Sequence, residues 1–225
     1  NLIFFNNDLC LHNIFEELIK LSYAYGKIYT HKKRPNCYKS FCNSRNIVKD
    51  MQNLSFTYKT TAGTLPNLSF LMRSNKETLI NAIKLAMSAE GAISITRRKW
   101  NGSIRGELTF ACAHPDLLKQ WKQIFEKVGL RMNIVHDKYN WAGIHGLRTT
   151  NSNIIKRFYE LGGFVEGNTI HRGLRFKNCS KNSILEAFIK FKKGDFSNYC
   201  QLNDKQFWRL FDTCRGVRDQ CRIAV

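Results

Sequence analysis

Nothing in the sequence approaches the roughly 18 uninterrupted apolar residues of a membrane-spanning helix. Its richest runs, 2–5 and 68–72, are short, which excludes an integral helical membrane protein and makes no membrane partner the expectation. A signal-peptide pattern is missing too, although the chain opens on Asn1 rather than methionine, so a processed or partial product stays open. The eight cysteines include no C-x-x-C pair and no histidine spacing that completes a zinc set. They read as reduced, small hydrophobic residues of an intracellular, cytoplasmic protein. Cys37 and Cys42, flanking one expected strand, are the pair to check for a bridge.

Acidic side chains are also in short supply. The 225 residues carry 17 Asp+Glu against 36 Lys+Arg, a net charge of +19. The excess is spread evenly over the chain, so it belongs to a basic folded body and not to an arm. Such a body favours a polyanionic partner. A membrane-surface protein would gather its charge on one amphipathic helix, so nucleic acid is the expected partner. A hydrophobic content of 43% with 12% aromatics supplies a packed core, which excludes a largely disordered chain. The length suits one large domain or two small ones.

Periodicity orders the elements. A strand over 2–5 leads through Asn6-Asn7-Asp8, which is N-cap chemistry, into a helix over 9–22. Strands over 27–31 and 37–42 flank a turn at Arg34-Pro35-Asn36, and Ser44 caps a helix over 45–54. Residues 57–76 read as a linker. Ser74 then caps a helix running to Gly91, with Glu77 completing a capping box. Strands over 92–96 and 107–111 are joined by a turn at Asn101-Gly102, and Pro115 opens a helix to Gly129. Strands over 132–135 and 144–150 follow, then a helix capped by Ser152 and ending at Leu161. Beyond it come a strand, an amphipathic helix over 182–193 and another over 204–214.

The two halves repeat. Phe5-Asn6-Asn7-Asp8-Leu9 aligns with Ala111-Cys112-Ala113-His114-Pro115, and Gly26-Lys27-Ile28 with Leu130-Arg131-Met132. Within this order, Ile83-Lys84-Leu85-Ala86-Met87-Ser88-Ala89-Glu90-Gly91 resembles a diverged LAGLIDADG motif. Ala-Glu-Gly stands where the family has Ala-Asp-Gly. The resemblance to LAGLIDADG homing endonucleases of archaeal type implies an α+β fold of duplicated αββαββα units with antiparallel, saddle-shaped sheets. Residues 77–162 would form a complete unit and 1–56 a partial one without its motif helix. Residues 163–225 would form an extension passing from α/β to helical.

The same resemblance implies metal-dependent cleavage of double-stranded DNA, by an enzyme associated with an intron or intein in an archaeal or organellar context. Glu90 would be the catalytic carboxylate, and Glu90 and Gly91 would hold Mg2+ at the end of the motif helix. Small residues on that helix would let a second one approach, and Gly91 would permit a sharp exit into the next strand. Two such carboxylates, one from each helix, would surround metals that activate water. No second motif precedes Asn1 in this chain, and Glu166 reads as a turn residue. Cys112-Ala113 is weak polar support where the family places a polar or basic group, and Asn6-Asn7 is closer to it. A monomer with a pseudo-twofold axis or a homodimer would supply the pairing. A protein of the same fold that binds DNA or RNA without cleaving it, a regulator or maturase-like cofactor, is the alternative.

The family's saddle implies base and phosphate contacts from exposed strand positions and their loops. In the first unit these are Lys27, Tyr29, His31, Lys32, Lys33, Arg34 and Lys39. In the second they are Ser94, Thr96, Arg97, Arg98, Lys99, Trp100 and Arg105, then Lys138, Tyr139, Trp141, His145 and Arg148. Lys32-Lys33-Arg34 and Arg97-Arg98-Lys99 are the densest clusters.

Overall fold

The structure, a computed structural model, describes residues 1–34, 37–55, 57, 61–97, 103–171, 176–193 and 208–209. It opens with β1 (Leu2–Asn6), α1 (Leu9–Tyr23), β2 (Ile28–Arg34), β3 (Cys37–Cys42) and α2 (Arg45–Leu54). These three strands form an antiparallel sheet in the order β1-β3-β2, hereafter sheet A. After the short α3 (Ser69–Met72) come α4 (Lys76–Glu90), β4 (Gly91–Arg97), β5 (Ile104–Ala111) and α5 (Pro115–Lys127). β6 (Asn133–His136), β7 (Ile144–Thr149), α6 (Ser152–Glu160) and α7 (Lys181–Lys193) complete the set. The second antiparallel sheet, sheet B, has the order β4-β5-β7-β6.

Sheet A therefore has the strand order of sheet B without β4, and each sheet carries a helix after its first shared strand and another after its last. The register repeats as well. Ile3 faces Phe41, which faces Tyr29; Thr109 faces Arg148, which faces Asn133. Both first helices are capped at the aligned position. Asp8 accepts from the Cys10 amide and His114 from the Leu117 amide.

Strand alternation sets the layers. In β5, Ile104, Gly106, Leu108 and Phe110 turn inward and their neighbours outward, a period of two. Against that inner face pack Ile83 and Met87 of α4, Phe125 of α5, Phe158 of α6 and Phe188 of α7, all buried. Full burial of side chains of this size contributes about 1.5–3 kcal/mol each. Sheet A is thinner: Ile19, Cys42 and Ile47 form its buried cluster among the described residues. Phe4 of β1 stacks on Phe15 of α1, and the buried His12 lies under Tyr38 while its Nδ1 pairs with Ser40 Oγ at 2.6 Å. Burial pushes the His12 imidazole below its ordinary value.

Several expectations are corrected. Asn75, not Ser74, caps α4 by accepting from the Thr78 amide, while the Ser74 hydroxyl donates to the Phe70 carbonyl. Asn151, not Ser152, caps α6. The segment read as a linker contains α3 and is fastened to α5. Gln120 accepts from the Leu68 amide and donates to the Pro66 carbonyl, and Leu68 is buried. Of the strand expected after residue 163, the described residues show one bridge, Thr169 with Ser180, and residues 172–175 lie outside the described residues. Gly91 leaves α4 with ordinary extended φ −95°, so freedom of φ is not its role. A Cβ there would stand 2.5 Å from the Met87 carbonyl oxygen; the need is for space. Cys37 and Cys42 form no disulfide. Cys200, Cys214 and Cys221, the turns at Arg34-Pro35-Asn36 and Asn101-Gly102, and most of the helix expected over 204–214 lie outside the described residues. No helix among the described residues is long and apolar enough to cross a membrane.

Candidate functional site

The end of α4 meets the β1–α1 turn of the first unit across a cavity of about 310 Å³. Glu90 comes from α4, Asn6 and Asp8 from the turn, Asn168 and His171 from the loop after α6, and Lys181 from the start of α7. Segments distant in sequence therefore converge on one polar pocket.

Asp8 ties the units together. Its Oδ2 accepts from the Asn168 side-chain amide at 2.8 Å and from the Thr169 backbone at 2.9 Å, while Oδ1 accepts from Cys10. His171 Nε2 lies 3.3 Å from Oδ2 but is too poorly aligned for a hydrogen bond, so their interaction is an ion pair when the imidazole is protonated. Burial alone raises the Asp8 carboxyl, and His171 with the Thr169 and Cys10 amides outweighs it, leaving the group below its ordinary value.

Lys181 closes the other side. Its Nζ donates to the carbonyls of Ser88 at 2.9 Å and Gly91 at 2.8 Å, the oxygens that α4 leaves unpaired at its C-terminal end. The Ser88 hydroxyl accepts from the Val165 amide at 2.7 Å, pinning the loop after α6 onto the same turn. Burial lowers the Lys181 amine to about 8 against the pull of the Asp8 and Glu90 charges. Burial raises the Glu90 carboxyl, partly offset by the Lys181 ammonium. It also raises the neighbouring Cys112 thiol, which the Glu90 charge pushes further up. A raised carboxylate and a lowered amine thus line one pocket, each shifted mainly by burial.

The oxygen donors of this pocket suit a hard cation. Glu90 is a half-buried carboxylate, and Asn168 Oδ1, fully buried, has no hydrogen-bond partner. Mg2+ takes one or two carboxylates and keeps several waters. Gly91, the other expected ligand, already accepts the Lys181 proton donor through its carbonyl. No group of three His, Cys, Asp or Glu side chains able to hold a metal occurs among the described residues. The small face of α4 receives the loop at Val165 through Ser88; among the described residues no second motif helix lies there.

The expected nucleic-acid residues divide by strand parity. Tyr29, His31, Lys33 and Lys39 share the outer face of sheet A with Phe5 and Phe41. Lys27 precedes the strand, and Lys32 falls on the opposite parity beside a bulge, though both are exposed. For Arg34 only the pairing of its backbone with Cys37 is described. Ser94, Thr96, Arg105 and Arg148 share the outer face of sheet B, where Arg148 stands 3.8 Å from Glu107. Arg97 falls on the inner parity and is half-buried. His145 sits exposed at the β6–β7 bulge, and Lys138, Tyr139 and Trp141 lie in the loop between those strands. Arg98, Lys99 and Trp100 lie outside the described residues.

Sequence reasoning missed the partners of Glu90. Asp8 was legible only as cap chemistry, and Asn168, His171 and Lys181 carry no local signature. Glu166 is exposed in its turn and offers only its carbonyl, to the Cys10 thiol. No protein-family model matches this sequence, and no curated protein matches it.

Proposed function

We propose that the chain is a nucleic-acid-binding protein of the LAGLIDADG type that lies along duplex DNA with the outer faces of its two sheets. One observation carries this reading. Each of two sheets, alike in strand order and register apart from β4, packs helices on one of its faces and presents cations on the other. Phosphate contacts made by such cations release counterions, so affinity for duplex should fall steeply with salt, by about 0.9 in log K per log salt for each phosphate neutralised. A gel-shift titration tests it: duplex binding at low salt that weakens in this way supports the reading, and no binding at low salt ends it.

Cleavage is the second part of the proposal. Glu90 and Asn168 would hold Mg2+, and the ion supplies an activated water for phosphodiester hydrolysis when bound. Lys181, which loses its proton near pH 8, would neutralise charge or pass a proton beside Glu90. The substitution Glu90→Gln should abolish magnesium-dependent nicking and leave duplex affinity equal or slightly higher, since one negative charge goes. A binding protein without cleavage is the second reading. It draws on Asp8, whose carboxylate is committed to four protein groups, and on the Lys181 ammonium already seated beside Glu90. A parent chain that never nicks with Mg2+ or Mn2+ but binds duplex decides for it.

A further inference from the structure

The outer face of sheet A carries exposed rings among its cations. Phe5 and Tyr29 are 49% and 53% exposed, and Ile3 is 44% exposed beside them. Tyr29 stacks on Phe41 with ring centroids 5.2 Å apart, and His31 meets the same ring edge-on. Cations are interleaved: Lys33 Nζ lies 5.1 Å from the Phe5 centroid, and Lys39 Nζ 5.1 Å from that of Phe41. Apolar rings grouped on a surface mark a binding site. The alternating ammonium groups make the site anionic in taste, so a purely apolar protein surface is a poor match for it.

We infer that this face is a stacking platform for unpaired bases, so that the ligand of the protein is a duplex continuing into a single-stranded segment. The inference rests on the nucleic-acid reading above. In a duplex the ring faces of the bases are hidden in the stack, and the grooves show only their edges. Against an intact duplex an aromatic side chain reaches sugars and thymine methyls at the groove edges but not the ring faces of the bases. Unpaired bases expose their faces, stack on aromatic rings without regard to sequence, and bring phosphates to the neighbouring lysines. Sheet B supplies the control within the same molecule. At the rungs where sheet A has Ile3, Phe41 and Tyr29, it has Thr109, Arg148 and Asn133, and Ala111 stands where Phe5 would. Among the described residues, the outer strand positions of sheet B carry no such group of rings.

The experiment compares a blunt DNA duplex with the same duplex carrying a single-stranded pyrimidine tail, titrated against the whole chain. The tailed ligand should bind more tightly, and Tyr29→Ala and Phe5→Ala should each remove part of that gain, within the roughly 5- to 150-fold that stacking one base contributes. The gain is read for each variant as the ratio of tailed to blunt affinity, so a change in blunt-duplex binding cancels, and Tyr29→Phe should keep the gain, since the ring and not the hydroxyl does the stacking. Equal affinity for the two ligands overturns the inference while leaving the duplex reading intact. Loss of binding to both ligands in the parent overturns the two together. If the ring substitutions leave the tail gain unchanged but turn a sedimenting dimer into a monomer, the face is an interface between copies and the inference also fails.

Discussion

Where sheet A sets Ile3, Phe41 and Tyr29 across its outer face, sheet B sets Thr109, Arg148 and Asn133 at the corresponding rung. One rung further on, Lys39 corresponds to Gly146, a glycine at φ +156°. The inner faces differ as much. Sheet B and its helices bury a continuous cluster from Leu68 to Phe191, against Ile19, Cys42 and Ile47 beneath sheet A. One hydrogen-bonding frame thus carries two surfaces and two depths of core. The frame is fixed by alternation and capping, which need only residue classes at a period, whereas the outer face is free to diverge because no packing partner constrains it.

The core difference gives the largest expected effect. The substitution Phe125→Ala should cost about 3–5 kcal/mol, because the ring is fully buried where α5 packs on α3, α4 and sheet B, and its site collapses poorly. Ile47→Ala in the thin core should fall near the lower end of the range for aliphatic truncation, about 2 kcal/mol. Urea unfolding measures both, and native-state amide exchange should show sheet A opening before sheet B. Equal costs at the two sites would mean that the first unit is as rigid as the second.

Gly146 sharpens the comparison at one rung. A Cβ there would come within 1.9 Å of the Phe110 carbonyl oxygen. Its backbone conformation by itself disfavours an L side chain by about 1–3 kcal/mol. The substitution Gly146→Ala should therefore destabilise by at least that much. Lys39→Ala at the corresponding position of sheet A should change stability by less than about 0.5 kcal/mol, as surface substitutions do. Thermal unfolding of the two variants checks it, and a neutral Gly146→Ala would show that the bulge near His145 relaxes freely.

How far the sequence foretells this arrangement depends on the range of the interactions involved. The bounds of α2 are legible because Ser44 supplies a cap that accepts from Ile47, an interaction three residues long. The repeat is legible because each half writes the same alternation and the same turn. Lys181 is invisible for the opposite reason. It opens an ordinary amphipathic helix, and its role arises only when α7 packs beside β4 and α6 and brings the amine onto the carbonyls of Ser88 and Gly91. Asp8 looks like a helix cap and is one, but its second oxygen holds a loop from the far end of the chain. Position in a local pattern predicts one partner of a polar group and leaves its distant ones open.

The charged residues of the two outer faces allow a finer test. Lys39→Gln and Arg148→Gln should each weaken duplex binding and lower its salt slope by about 1, as the loss of one phosphate contact does. Gel shifts over a range of salt concentrations read both numbers. If Lys39→Gln changes the slope and Arg148→Gln does not, the ion pair of Arg148 with Glu107 keeps that guanidinium from phosphate, and the duplex lies on sheet A alone.

The smallest effect lies in the pocket between the units, in the pH dependence of stability. Buried Lys181 loses its proton near pH 8 in the folded protein, against 10.5 in the unfolded chain. Between those values the unfolded state binds more protons, so the Lys181 contribution makes stability rise with pH across that window. Below pH 8 the amine is charged in both states, and the cost of burying the ammonium is felt in full. Passing from about pH 7 to about pH 8.5 should therefore add about 1 kcal/mol through Lys181. Other groups titrate in the same range, so the measurement is a difference: urea unfolding of the parent and of Lys181→Met at several pH values. The variant is expected to lose stability overall, because the Ser88 and Gly91 carbonyls lose their donor. Its curve should also lack the rise attributable to Lys181. Parallel curves for parent and variant would mean that the amine stays charged through pH 8.5, and that Glu90 faces a permanent cation rather than a partner in proton exchange.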